Sequence, residues 1–130
     1  MTRGERNCNP GNIRRVKGVV WVGQSDHQTD DAFVQFDDPL HGIRAIARIL
    51  ITYEHQGIDT LGDAINRWAP PNENNSEAYI DAVCKECGIG PDVRISLREH
   101  LPQIVKAIIR HENGEVIYSD NDILQGIALA

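Results

Sequence analysis

From residue 39 to the C-terminus, hydrophobic residues recur every three or four positions, which is the spacing of one face of an α-helix. The pattern predicts five helices, separated by segments rich in glycine, proline and asparagine. Pro39 suits the first position of the first helix, because proline lacks the amide proton that a helix interior needs. We expect the helices near residues 39–56, 61–68, 75–87, 97–113 and 120–128.

The part of the chain before residue 39 has a different pattern. Two short runs, residues 19–23 and 32–36, are rich in β-branched and aromatic residues and predict a β-hairpin. The eight residues between them are polar and acidic, so this loop should be exposed. Residues 3–15 are dense in turn-forming residues and predict an irregular loop. The expected fold class is α+β, a mostly helical domain with one small β-hairpin near the N-terminus.

The helix expected at residues 97–113 places one carboxylate on an apolar face. Glu112 follows Ile108 by four residues and Val105 by seven, so it falls on the same side as the hydrophobic stripe. Burial disfavours the charged form of a carboxylate and lets it act as a general acid near neutral pH. Glu112 is therefore the candidate catalytic residue. In the alternative interpretation, it lies in a fraying last turn and pairs with a neighbouring arginine.

Length and charge exclude several classes of protein. The 130 residues correspond to a single domain, 1–130, which can bury a core without disulfides or metals. The net charge of −6 argues against broad attraction to nucleic acid or to an anionic membrane. No apolar run reaches the roughly 18 residues of a membrane span. The first ten residues are too polar for a signal peptide, so we expect synthesis in the cytoplasm.

The three cysteines are expected to be structural. They cannot all pair with one another, which favours free thiols and a reducing site of synthesis. Cys84 and Cys87 form a C-x-x-C motif, but it falls at the end of a helix, whereas a reactive dithiol favours the positive N-terminus. A zinc site needs two more ligands, and only Cys8 remains among the thiols. We expect no metal and no cofactor.

Six motifs follow one another along the chain: RNCNPGNIR at 6–14, W-x-G at 21–23, FVQF at 33–36, HGIRAIARIL at 41–50, RWAPPNENNSEAYI at 67–80 and IIRHENG at 108–114. On these motifs the chain resembles a group of phage virion proteins and their prophage-encoded homologues over nearly its whole length. Several of the same pieces also resemble bacterial cell-wall glucosaminidases of the lysozyme-like superfamily. This second resemblance is carried by NPGNIR at 9–14 and by residues 21–23, 33–38 and 69–79, in that order.

The resemblance implies a lysozyme-like domain that cleaves the glycan strand of peptidoglycan. It also implies a phage- or prophage-encoded protein made in a bacterium, which acts in the virion or at the cell wall. In the glucosaminidases the catalytic glutamate precedes the asparagine-rich segment, whereas Glu112 comes near the end of this chain. A circular permutation would reconcile the two orders, and it predicts that the chain termini lie close together.

On this interpretation, Glu112 protonates the glycosidic oxygen. Asp26, in the loop between the predicted strands, is the expected second carboxylate of a hydrolase, with Asp30 and Asp31 as alternatives. If no second carboxylate is in reach, one glutamate that acts first as acid and then as base supports a lytic transglycosylase. The expected walls of the substrate cleft are Asn9, Asn12, Tyr79 and Trp68.

Two other functions remain open. The chain could be a non-catalytic virion protein that binds glycan or other virion proteins, because a fold does not specify an activity. It could also be a partner-binding domain in which Glu112 pairs with an arginine. A groove lined by Glu112, Asn12 and Tyr79 would favour the enzyme or the glycan binder. An exposed Glu112 with an arginine contact would favour the partner-binding domain.

Overall fold

The computed structural model describes residues 1–72 and 74–130. Helices dominate this part of the chain, and none of them is both long and apolar enough to cross a membrane. The five helices predicted from the hydrophobic spacing are present as α2 to α6, and a one-turn helix precedes them. The elements are α1 (Arg3–Arg6), α2 (Pro39–His55), α3 (Leu61–Trp68), α4 (Ser76–Cys87), a 3-10 turn (Arg98–His100), α5 (Leu101–Asn113) and α6 (Asp120–Ala128).

The predicted β-hairpin is absent from the described residues, so the α+β assignment is wrong and the domain is helical. Residues 19–23 and 32–36 do not form a strand pair. Only two isolated antiparallel bridges occur in the described part, Arg14 with Phe33 and Gln24 with Phe36. Residues 32–36 bond to the N-terminal segment instead, since Val34 N–H donates to the carbonyl of Ile13 at 3.0 Å and Phe36 N–H to that of Asn7 at 2.9 Å. The side-chain amide of Gln28 bonds the backbone N–H and C=O of Gln35 at 2.9 and 2.7 Å. These partners take the place of a strand at residues 19–23.

The prediction of an irregular N-terminal loop holds only in part. Residues 3–6 form α1, which begins with a capping box in which Thr2 and Glu5 bond each other's backbone N–H groups. The following residues turn twice through the left-handed region of backbone conformation, at Cys8 (φ 52°) and Asn12 (φ 48°). Asparagine tolerates this region better than most residues, which allows the turn that ends at Asn12.

The core lies between α2 and the C-terminal helices. α2 packs against α5 and α6, and α4 packs against α3 and α5. Large aliphatic side chains from these helices are fully buried, and each stabilises the fold by about 1.5–3 kcal/mol relative to exposure. The central ones are Ile43, Ile46, Leu50, Leu61, Ile65, Ile104, Ile108 and Ile109.

The N-terminal segment packs closely on α2 and on the end of α5. A Cβ atom at Gly42 would overlap the carbonyl oxygen of Cys8 and lie 2.8 Å from Cδ of Pro10. At α5, the hydroxyl of Thr2 donates to the side-chain oxygen of Asn113 at 2.7 Å. The amide of Asn113 donates in turn to the carbonyl of Pro10 at 2.8 Å. Residues 1–13 are therefore fixed between the two helices.

Replacing Gly42 with alanine should destabilise the fold by about 1–3 kcal/mol, because the new methyl group meets backbone that cannot move aside. Urea unfolding followed by circular dichroism measures this change. Gly90→Ala is the matched control, since a Cβ atom there meets only the side chain of Val93, at 3.4 Å. Equal free energies of unfolding for the two variants would contradict the close contact at Gly42.

Candidate active site

Glu112 lies in the last turn of α5, half-buried, and two side chains hold its carboxylate. Its Oε1 accepts a hydrogen bond from the amide of Asn12 at 2.9 Å. Its Oε2 accepts from the hydroxyl of Tyr79 at 2.8 Å. The neighbouring Arg110 does not compete for this carboxylate, because its guanidinium pairs with Glu86 at 2.8 Å. The side chain is therefore oriented from two directions by uncharged donors.

Tyr79 belongs to α4 and is only 3% exposed. Its ring stacks on His111, with ring centroids 3.9 Å apart. Burial raises the pKa of the Tyr79 hydroxyl, and the negative charge of Glu112 raises this pKa further. The hydroxyl consequently keeps its proton and remains a donor to the carboxylate. Tyr79 thus acts from behind Glu112 and does not itself line the adjoining groove.

The groove in front of Glu112 has a volume of about 420 Å³. Its walls are mostly aromatic and aliphatic, and its polar lining residues besides Glu112 are Asn12, Arg14 and Asn74. This composition is typical of a site for an organic ligand, because aromatic faces supply contact area and the polar groups set orientation. The aromatic residues along it are Trp21, Phe33, Tyr53 and Trp68.

Among the predicted cleft residues, the structure brings Asn12 and Trp68 to the groove but not Asn9. Asn9 is completely buried. Its amide nitrogen donates to the carbonyls of Ile13 and Val34 at 3.0 and 2.8 Å, and its oxygen accepts from the N–H of Ile13 at 2.9 Å. All of these partners are backbone groups. Asn9 therefore braces the turn that carries Asn12, and it does not face a ligand.

The structure also does not bring Asp26 to Glu112. Asp26 is exposed on the polar loop and does not line the groove, and Asp31 is likewise exposed. In the part of the chain that the structure describes, Glu112 is the carboxylate of the groove lining. Asp26 therefore does not supply the second carboxylate that was predicted for a hydrolase.

Asp30, the other alternative, has a structural role. Its carboxylate accepts two hydrogen bonds from the guanidinium of Arg3, at 2.6 and 2.7 Å, and one from the amide of Asn7 at 3.0 Å. It also accepts from the backbone N–H groups of residues 32 and 33. Chiefly Arg3, with these backbone donors, holds the pKa of Asp30 well below its usual range. The carboxylate fastens the loop to α1.

Sequence reasoning missed three aromatic residues of the groove. Trp21 and Phe33 lie in the two runs that were assigned to a hairpin, where an aromatic side chain indicates a strand as readily as a binding surface. Tyr53 lies on α2, four residues after Ile49, and fits the hydrophobic face of that helix. The sequence shows these aromatic residues, but only the tertiary structure shows that they line one groove.

All three cysteines are free thiols, as the sequence predicted. Burial raises the pKa of Cys84, and it raises the pKa of Cys87 to about 11, which keeps both thiols protonated. Burial also raises the pKa of Cys8. Among the described residues, no group of three or more histidine, cysteine, aspartate or glutamate side chains could hold a metal ion.

These features define a class: a small helical domain with one oriented glutamate at an aromatic groove. The sequence matches no protein-family model. Over 127 residues it is 39% identical to Protein P5 of Pseudoalteromonas phage PM2, an alignment that covers 95% of this chain and 79% of that protein. The chain therefore belongs to the family of this bacteriophage protein, which confirms the predicted relationship to phage proteins.

Tyr79→Phe should lower the free energy of unfolding by about 1–3 kcal/mol, because it leaves a carboxylate oxygen of Glu112 without its donor. Tyr118→Phe is the matched control. The hydroxyl of Tyr118 is buried with no hydrogen-bond partner among the described residues, so its removal should cost within about 0.5 kcal/mol. Urea denaturation of both variants tests this difference. Equal losses would show that the bond to Glu112 contributes nothing.

Proposed function

We propose that the protein cleaves the glycan strand of peptidoglycan, with Glu112 as the general acid. The observation that carries the proposal is the carboxylate of Glu112, held by Asn12 and Tyr79 at the edge of an aromatic groove. An acid catalyst must be aimed at one atom of its substrate, and two fixed donors from different segments give it that direction.

In the proposed step, protonated Glu112 gives its proton to the glycosidic oxygen while the bond from that oxygen to the anomeric carbon breaks. The bonding electrons stay with the leaving oxygen, and positive charge develops on the sugar ring. Glu112 becomes a carboxylate, and the hydrogen bonds from Asn12 and Tyr79 are stronger to this charged form. The two donors thus stabilise the state that proton transfer produces.

The second half of the reaction needs a nucleophile that Glu112 can now deprotonate as a base. If water attacks the anomeric carbon, the product is a reducing end and the enzyme is a hydrolase. If the sugar's own 6-hydroxyl attacks, the product is a 1,6-anhydro end and the enzyme is a lytic transglycosylase. In both courses the proton returns to Glu112, so one carboxylate completes the cycle.

The groove supports a saccharide as the ligand. Sugar rings present flat C–H faces that pack on aromatic side chains, and their hydroxyls bond to polar groups at the edges. Trp21, Tyr53 and Trp68 provide such faces within one cavity that also contains Glu112. A glycan strand lying along these rings would pass its glycosidic bonds in front of the carboxylate.

The family relationship supports a bacteriophage protein. We propose that it acts at the bacterial cell wall, either from the virion or during lysis. We also infer a distant, circularly permuted relation to lysozyme-like enzymes. Asn12 and Glu112 are 100 residues apart in sequence and hydrogen-bonded in space, as a permuted motif order requires. The proximity of the chain termini that this permutation implies stays a prediction.

A second candidate function is a virion component that binds glycan without cleaving it. The hydrogen bonds to Glu112 favour this alternative in one respect, because Asn12 and Tyr79 already donate to both of its oxygens. Such a protein would bind glycan strands in the same groove and release no products.

The test is turbidity loss and product release from purified peptidoglycan, with Glu112→Gln compared with wild type. The glutamine keeps the shape of the side chain but cannot donate a carboxylic proton, so we expect a rate loss of at least about 100-fold. Mass spectrometry of the products distinguishes anhydro ends from reducing ends.

Glu115→Gln is the matched control, because Glu115 is exposed one turn away and should leave the rate unchanged. Asp26→Asn should also retain activity, since Asp26 does not line the groove. Circular dichroism and urea unfolding establish that all variants are folded. A folded wild-type protein that binds glycan strands but releases nothing would replace the enzyme with the glycan binder.

A further inference from the structure

A second cavity, of about 590 Å³, adjoins the groove in front of Glu112. Four side chains line both cavities, so the two form neighbouring parts of one surface. They are Val19, Trp21, Ile49 and Tyr53. A ligand longer than the groove would therefore extend into the second cavity.

Three arginines line this second cavity, and none of them pairs with a carboxylate in the part of the chain that the structure describes. The guanidinium of Arg44 donates to the backbone carbonyl of Leu129 at 3.2 Å. That of Arg67 donates to the side-chain oxygen of Gln56 at 2.6 Å and lies over the ring of Tyr53. Both partners are uncharged. Arg48 also lines the cavity, and among the described residues it makes no hydrogen bond or ion pair.

Three arginines outside the cavity are neutralised by ion pairs. Arg3 pairs with Asp30, Arg94 with Asp59, and Arg110 with Glu86, all within 3.0 Å. The cavity thus concentrates three uncompensated positive charges in a chain whose net charge is −6. Charge of one sign gathered in a concave site raises the local concentration of ligands with the opposite sign.

We propose that this arginine pocket, formed by Arg44, Arg48 and Arg67, binds the free carboxylates of the short peptides that branch from peptidoglycan strands. The assignment rests on the proposed function, because the glycan that lies in the groove would carry these peptides into the adjoining cavity. Guanidinium groups match the planar, two-oxygen geometry of a carboxylate.

The shape of the pocket suits a peptide branch. Arg44 and Arg48 are four residues apart on α2, so their side chains follow each other along the helix at about 6 Å intervals. Exposed apolar side chains face them, with Val20 80% and Val22 55% exposed. These valines offer contact to the small aliphatic side chains of a peptide, and the arginines offer contact to its carboxylates.

The experiment measures binding to two soluble ligands, glycan strands with their peptides and the same strands stripped by an amidase. Glu112→Gln serves as the background for binding, so that no ligand is consumed. We expect the peptide-bearing strands to bind at least about tenfold more tightly, and this advantage should shrink as salt is added. In the triple variant Arg44→Gln, Arg48→Gln, Arg67→Gln, both ligands should bind equally weakly.

Arg94→Gln is the matched control, because it removes one positive charge from an exposed ion pair outside the pocket. It should preserve the preference for peptide-bearing strands. Arg48→Gln alone avoids the packing contacts of the triple variant and should lose part of the preference. The proposal would be overturned if the Glu112→Gln protein with its native arginines bound both ligands equally. It would also be overturned if the folded triple variant kept the preference for peptide-bearing strands.

A parallel arm uses vesicles that contain anionic phosphatidylglycerol. If the triple variant loses vesicle binding while its strand preference is unchanged, the pocket is a lipid site and the peptide assignment is wrong. The result also distinguishes the failure of the arginine pocket from the failure of the proposed enzyme activity. If binding depends on the arginines but no product is released, the enzyme activity is rejected and the arginine pocket is retained. If cleavage depends on Glu112 and the triple arginine variant shows no change in binding or cleavage, only the arginine pocket is rejected.

Discussion

The hydrogen bonds to the carboxylate of Glu112 are the interaction on which the candidate site depends, because they join three separate segments. Asn12 comes from the N-terminal turn, Tyr79 from α4, and Glu112 from the end of α5. A half-buried carboxylate without such donors would cost the fold free energy, so the same contacts stabilise the domain and set the direction of the carboxylate. The stability of the domain and the geometry of the candidate site are coupled at this point.

That interaction in turn requires the tight packing of the N-terminal segment. The left-handed conformation of Asn12 is held by the buried amide of Asn9, and the segment lies close to α2 because position 42 has no side chain. Any change that lifts residues 8–13 from α2 would move Asn12 away from Glu112. The geometry of the site is thus controlled by residues that do not line the groove themselves but position the ones that do.

Sequence reasoning located α2 to α6 because their hydrophobic periodicity is strong, and it selected Glu112 because a carboxylate on an apolar stripe is unusual. It failed in the first 38 residues, where residues 32–36 bond to backbone of residues 7–15 and to the side chain of Gln28 in place of residues 19–23. It also could not foresee that Asn9 turns inward while Asn12 turns toward Glu112. Both are asparagines of one turn, and only the tertiary contacts distinguish their roles.

The arginine pocket has a local charge of opposite sign to the net charge of the chain. A net charge of −6 argues against anionic ligands, yet at physiological salt a charge is felt only over about 8 Å. Within that distance, a ligand in the cavity meets Arg44, Arg48 and Arg67, whereas Asp30, Asp59 and Glu86 are paired with other arginines. The proposed peptide branch would therefore meet the local positive charge of the cavity before the net charge of the chain.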